Sequence, residues 1–92
     1  MPRLISPAQG KIIGNNVQFT WSAVSNTSYY VLRVVTSEGD LVWEGQSKET
    51  KIRVPADSLK QGKYFAWVLS YRVDGQVAKS DAVEFRVGNN SQ

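Results

Sequence analysis

The amino-acid sequence predicts an all-β protein, a seven-stranded antiparallel β-sandwich. Apolar and polar side chains alternate over most of the chain, as in 17–22, where Val, Phe and Trp alternate with Gln, Thr and Ser. Helical periodicity is nearly absent, and turn signals recur roughly every 8–12 residues, as in sandwich domains. Short strands with one apolar and one polar face are typical of two antiparallel sheets that pack against each other.

The alternation defines seven strands in chain order. We expect them at 3–6, 16–22, 28–36, 41–46, 49–54, 63–73 and 76–87. Hairpin turns are predicted at Glu38-Gly39-Asp40 and Asp74-Gly75, because Gly and Asp tolerate positive φ angles. The helical candidate, residues 56–60, is a single turn at most.

The length of 92 residues fits one domain. We expect it to span residues 1–92, with order from about residue 3 to residue 87 and a flexible polar tail at 88–92. Met1 followed by Pro2 suggests a domain excised from a larger chain.

The charge pattern argues against nucleic-acid and membrane partners. Eleven Lys and Arg against eight Asp and Glu give a net charge of +3, and these residues are scattered along the chain. Nucleic-acid binders concentrate basic residues on one face, so we expect no nucleic acid. No apolar run reaches the ~18–20 residues that cross a bilayer, so we expect no direct membrane insertion.

The composition also argues against an enzyme. The chain has no cysteine and no histidine, which excludes thiolate nucleophiles, disulfides and imidazole-dependent catalytic triads. Most of the eight carboxylates fall in turns or on polar strand faces, where water is not excluded. Glu38 and Asp40 are better explained by a solvated turn than by a calcium site. We therefore expect no catalytic residue, no metal and no cofactor.

Five features of the sequence occur together. They are Trp21 with Tyr30 nine residues later, Leu59-x-x-Gly62-x-Tyr64, the Asp74-Gly75 turn, Val83-x-Phe85-x-Val87 and the opening Leu4-x-x-Pro7-x-x-Gly10. In these features the chain resembles fibronectin type III-like domains, which are immunoglobulin-like β-sandwiches, and especially their bacterial members. The resemblance spans residues 3–87. Bacterial members often carry a Trp where this chain has Ala66, with Trp67 one place later.

The resemblance implies a spacer, an interaction module or an accessory of a polysaccharide enzyme, in an extracytoplasmic or cell-envelope protein. Its fold predicts the core. Trp21 is expected to fill the centre between the sheets, and Tyr64 to form a tyrosine corner whose hydroxyl bonds to the backbone near Leu59. The expected core residues are Phe19, Trp21, Tyr30, Leu32, Val34, Leu59, Tyr64, Val68, Val83 and Phe85.

The strand at 63–73 is unusual because it carries no charge from Tyr64 to Tyr71. If Tyr64 points inward, the outward face of this strand and the neighbouring face of strand 28–36 form one surface. Together they would expose on the order of 500–800 Å² of apolar area, above the ~300–600 Å² usual for a monomer's largest patch. A one-residue slip would instead place Phe65, Trp67 and Leu69 in the core. With Tyr64 inward, the candidate partner-binding residues are Tyr29, Val31, Val35, Phe65, Trp67, Leu69 and Tyr71.

These residues favour a non-catalytic module that binds protein through the sheet formed by the third, sixth and seventh strands (C, F and G in the family's lettering). The partner would be an adjacent domain, another protein or a second copy. An inert spacer whose aromatics are all in the core remains an alternative. A further alternative is carbohydrate binding, with a platform of Trp43, Trp67 and Tyr71 and polar contacts from Arg33, Gln46 and Arg72.

Overall fold

The computed structural model describes residues 2–6, 11–13, 17–55 and 59–88. Within these ranges the chain forms nine strand segments. They are β1 (Leu4–Ser6), β2 (Lys11–Ile13), β3 (Val17–Trp21), β4 (Thr27–Thr36), β5 (Leu41–Ser47), β6 (Lys51–Val54), β7 (Gly62–Arg72), β8 (Val77–Lys79) and β9 (Val83–Val87). Residues 89–92 of the expected tail at 88–92, most of the helical candidate at 56–60, and Pro7 and Gly10 lie outside the described residues.

Two sheets face each other across the core, which confirms the predicted all-β sandwich. The smaller sheet has the order β1-β3-β6 and is antiparallel. The larger sheet has the order β2-β9-β7-β4-β5, with β8 also paired to β7. Its strand pairs are antiparallel except β2 with β9, which run parallel. β4 and β7 are the longest strands and form the centre of the larger sheet.

One predicted strand is interrupted and one observed strand, β2, was not predicted, which raises the number of segments from seven to nine. The predicted strand at 76–87 divides into β8 and β9 around Ser80, which is buried. The Ser80 hydroxyl accepts a hydrogen bond from the Val68 amide at 2.9 Å and donates one to the Asp81 carbonyl at 3.1 Å. The hydroxyl thus takes part in the pairing with β7 where the last strand breaks. At the other end of the chain, β1 joins the smaller sheet and β2 the larger.

The core consists of the inward side chains of both sheets. Phe19 of β3 meets Phe85 of β9 edge-to-face at 5.4 Å between ring centroids, and the two rings join the sheets at the centre. The Trp21 ring lies 5.6 Å from the Tyr30 ring. The buried cluster contains Leu4, Phe19, Trp21, Tyr30, Leu32, Val34, Val54, Leu59, Tyr64, Ala66, Val68, Phe85 and Val87, with Val24, Trp43, Ile52 and Val83 packed against it.

Tyr64 connects the start of β7 to the preceding segment. Its hydroxyl donates a hydrogen bond of 2.6 Å to the Lys60 carbonyl, next to Leu59. Its ring stacks on Phe85 at 5.8 Å. A tyrosine that is polar at its tip and apolar along its ring can satisfy this carbonyl and still contribute to the core.

Trp43 and Gly45 close the sandwich where β5 passes β6. Trp43 pairs with the inward-facing Val34, so its indole also lies on the inner side of β5. The ring covers Gly45: a Cβ built there would lie 2.7 Å from Trp43 Cζ3 and from Ile52 Cδ1. Gly45 is therefore needed because the indole occupies the space that a side chain would take.

We expect Tyr64→Phe to lower the free energy of unfolding by about 1–2 kcal/mol, because the Lys60 carbonyl loses its donor while the ring packing remains. Chemical denaturation measures the change. Tyr71→Phe is the matched control, since no hydrogen-bond partner for the Tyr71 hydroxyl lies among the described residues. Equal losses in the two variants would contradict the role of the hydroxyl.

We expect Gly45→Ala to cost about 1–3 kcal/mol, because the added methyl group must displace the Trp43 ring from its packed position. The same substitution in a Trp43→Leu background should cost clearly less, since the obstructing ring is gone. Denaturation of the four proteins of this cycle tests the idea. A cost that does not depend on residue 43 would show that the backbone, not the indole, requires glycine.

Candidate functional site: the outer face of the larger sheet

The seven candidate partner-binding residues share one side of the larger sheet, which we call the outer face. They are Tyr29, Val31, Val35, Phe65, Trp67, Leu69 and Tyr71. Six of them form three directly opposed pairs between β4 and β7: Tyr29 with Tyr71, Val31 with Leu69, and Val35 with Phe65. Trp67 is paired with Arg33.

Of the two arrangements considered for β7, the structure has the one in which Tyr64 points into the core. Tyr64, Ala66 and Val68 belong to the buried cluster, whereas Phe65 and Trp67 do not. The opposed β4 residues alternate in the same sense. The aromatic side chains of β7 after Tyr64 therefore lie on the side of the sheet away from the core.

The outer face exposes less apolar surface than the sequence suggests. Val31, Val35 and Leu69 have relative exposures of 8%, 7% and 8%, so the expectation that they are open to solvent is wrong. All three are shorter than the aromatic and charged side chains around them, and they lie on the two central strands. Longer neighbours on both sides shield short side chains at the centre of a sheet.

Tyr29 and Tyr71 form the most regular contact of the outer face. Their rings are 4.8 Å apart between centroids and inclined by 7°, so each ring covers one face of the other. Both residues remain half-buried. A stacked pair across two strands stabilises the register and leaves the ring edges and hydroxyl groups toward solvent.

Lysine side chains lie over the other two aromatic rings. The Lys79 ammonium is 4.7 Å from the centre of the Trp67 ring, and the Lys63 ammonium is 5.9 Å from that of Phe65. Lys63 also forms an ion pair of 3.8 Å with Glu84. At exposed sites such cation–π contacts contribute about 0.5–1 kcal/mol of attraction.

A shallow open depression of ≈ 360 Å³ lies beside the tyrosine pair, toward β5. Val31 lines it together with Arg33 and Glu44, whose side chains form a 2.7 Å salt bridge. The lining residues are Tyr29, Val31, Arg33, Glu44, Gly45, Gln46 and Tyr71. The depression thus combines an apolar part, an ion pair and an amide.

The three-residue aromatic platform considered for carbohydrate does not exist. Trp43 packs against the core on the inner side of β5, while Trp67 and Tyr71 lie on the outer face. The three aromatics therefore do not share one surface. Arg33 and Gln46 line the depression, and Arg72 lies instead at the end of β7, with its Nε 3.7 Å from Asp74 Oδ1.

The ranges 2–6, 11–13, 17–55 and 59–88 contain no group of three or more Asp, Glu, His or Cys residues arranged to hold a metal ion. They also contain no helix of the length and apolarity that a membrane span requires.

Sequence reasoning missed the lysines that cover the outer face. Lys79 is opposite Leu69 in the β7–β8 hairpin, and Lys63 is the second residue of β7, the strand that carries Phe65. The hairpin around Asp74-Gly75 is visible in the sequence. Counting outward from that turn in both directions pairs Lys79 with Leu69, which places Lys79 diagonally next to Trp67. No sequence signal shows that the two ammonium groups bend over the rings.

Three solved structures resemble this chain over nearly its whole length. CopC from Methylosinus trichosporium OB3b has 21% identity and a TM-score of 0.69, and the match covers 100% of this chain and 98% of CopC. The CbhA fibronectin(III)-like modules of Clostridium thermocellum have 16% identity and a TM-score of 0.68, with 95% and 94% covered. The fibronectin type-III domain of human fibronectin type III domain containing protein 3 has 22% identity and a TM-score of 0.63, with 99% and 87% covered.

No family model and no curated protein matches the chain. At these identities the solved structures are evidence for a shared fold.

We expect Tyr29 and Tyr71 to be energetically coupled. In a double-mutant cycle of Tyr29→Ala and Tyr71→Ala, the coupling free energy should be about 0.5–1.5 kcal/mol, because each single substitution already removes the stacked pair. Urea denaturation of the four proteins gives the value. Strictly additive losses would mean that the stacking contributes nothing beyond the burial of each ring.

Proposed function

The chain has the fold of fibronectin type III-like, immunoglobulin-like β-sandwich domains, and from this we propose that it is a non-catalytic module that binds protein through its outer face. The partner is an adjacent domain of the same protein or a separate protein surface. Two of the similar structures are described as modules or domains. A module of this kind performs no chemistry, and its binding surface carries its function.

The half-exposed aromatic residues at the centre of the larger sheet support this proposal most strongly. Phe65, Trp67 and Tyr71 are on β7, which has a paired strand on each side, so their backbone is held rigidly. Large rigid side chains dominate protein contacts because each removes much surface from water at a small entropic cost. The surrounding ion pairs, Arg33 with Glu44 and Lys63 with Glu84, provide a polar rim.

The same contacts favour protein over carbohydrate. A sugar ring binds by lying flat on an exposed aromatic ring face. The faces that Tyr29 and Tyr71 turn toward each other are already in contact, and a lysine lies over Trp67. Ring edges, hydroxyl groups and lysine ammonium groups suit the mixed apolar and polar surface of a protein.

Photo-crosslinking provides the direct test. We expect a photo-crosslinking benzoylphenylalanine at position 67 to form an adduct with protein, either with an adjacent domain of the same protein or with one discrete partner. The same group at position 20, on the outer side of the smaller sheet, is the matched control and should give no adduct. Trp67→Thr should weaken the contact at least tenfold, with the fold kept, since Trp67 lies outside the buried core cluster.

Two results would contradict the proposal. Adducts that are equal at positions 67 and 20, or missing at both, would leave an inert spacer. Quenching or shifting of tryptophan fluorescence by cellulose, xylan, chitin or peptidoglycan, with loss of the effect in Trp67→Thr, would instead establish a carbohydrate-binding face.

A further inference from the structure

β5 is a long edge strand. It ends the larger sheet and pairs with β4 on one side, and no strand among the described residues pairs with its other side. It has seven residues, whereas β1 and β2 have three each and β6 has four. About half of its backbone N–H and C=O groups therefore point away from the sheet and can bind another strand.

β5 lacks most of the features that prevent strand pairing at an edge. Its sequence from 41 to 47 contains no proline and no lysine, and its single charged residue, Glu44, is bound to Arg33 at 2.7 Å. By contrast, the short edge strand β6 carries Lys51 and Arg53. A shift of register next to Val42 distorts only the first part of β5. Residues 43–47 pair regularly with β4, so no bulge interrupts their free side.

We propose that β5 pairs antiparallel with β5 of a second copy of this chain, centred on Gly45, and that the two larger sheets become one continuous sheet in a symmetric dimer. The five regular residues 43–47 all take part in this pairing. Such an isologous contact uses the same strand twice and closes at two copies, so it does not propagate into a fibre.

The two faces of the sheet restrict the register. An odd shift would place outward residues of one copy opposite inward residues of the other, which is excluded because the smaller sheet covers the inner face. Centring on Glu44 would oppose two carboxylates, and centring on Gln46 would leave only residues 45–47 paired within the strand. Centring on Trp43 would draw the irregular residue Val42 into the pairing.

The Gly45-centred register is also complementary in its side chains. Glu44 lies opposite Gln46 of the second copy, so a carboxylate can accept a hydrogen bond from an amide on the outer face. Trp43 lies opposite Ser47 of the second copy on the inner side. Next to the paired region are Leu41 and Val42, which are 54% and 40% exposed and gain a neighbour in the dimer. Five residues of each copy form the strand pairing, against about 20–30 residues a side in stable complexes, so we expect a weak dimer.

Opposite charges introduced at residue 46 test the register. Gln46 is exposed on the edge strand, so both Gln46→Lys and Gln46→Glu should leave the fold intact, which urea denaturation of dilute protein checks. Gln46→Lys places an ammonium group opposite Glu44 of the second copy and should tighten the dimer about tenfold. Gln46→Glu opposes two carboxylates and should weaken it about tenfold, since the symmetric dimer contains the pair twice.

Sedimentation equilibrium of the purified chain, from micromolar to millimolar concentration at low salt, measures these changes. The proposal is overturned if the unsubstituted chain stays monomeric at millimolar concentration. It is also overturned if the two variants change the dimer dissociation constant in the same direction. Trp67→Thr should leave the dimer unchanged. If Trp67→Thr abolishes dimerisation and the residue 46 variants do not alter it, the outer face is the self-contact, which supports the proposed function and refutes pairing through β5.

Discussion

The pairing of β4 with β7 is the interaction on which the rest of the structure depends. These are the two longest strands, and nearly all residues of β4 have a partner in β7. Because side chains alternate across a strand, one register places Leu32, Val34, Ala66 and Val68 in the core and their neighbours on the outer face. A slip by one residue would exchange the two sets, which would bury Arg33 and expose Leu32.

The register also explains how β7, which carries no charge from Tyr64 to Tyr71, lies at the centre of the larger sheet. The aromatic residues that β7 turns outward are not left open, since Tyr71 stacks on Tyr29 and lysines lie over Trp67 and Phe65. The resulting surface is apolar in its interior and charged at its boundary. The ring contacts and the lysines thus reduce the apolar area that the outer face leaves open.

A few side chains add contacts between strands to the backbone pairing. Ser80 hydrogen-bonds to β7 where the last strand breaks, and Trp43 of β5 extends across Gly45 toward Ile52 of β6 in the smaller sheet. The Trp43 ring lies on the inner side of β5. Residues 43–47 of β5 therefore pair regularly with β4 although the indole packs against the core.

The sequence by itself determined the sandwich, the approximate strands, the hairpin turns and most of the core. The reason is that the alternation of apolar and polar residues and the residue preferences of turns depend on neighbours along the chain. Tertiary structure alone decided how exposed each outward residue is. Val31, Val35 and Leu69 are shielded by longer neighbours from strands distant in sequence, and Trp43 faces the core because Gly45 leaves room for its ring. Exposure and the covering lysines depend on cross-strand neighbours, which a linear pattern does not contain.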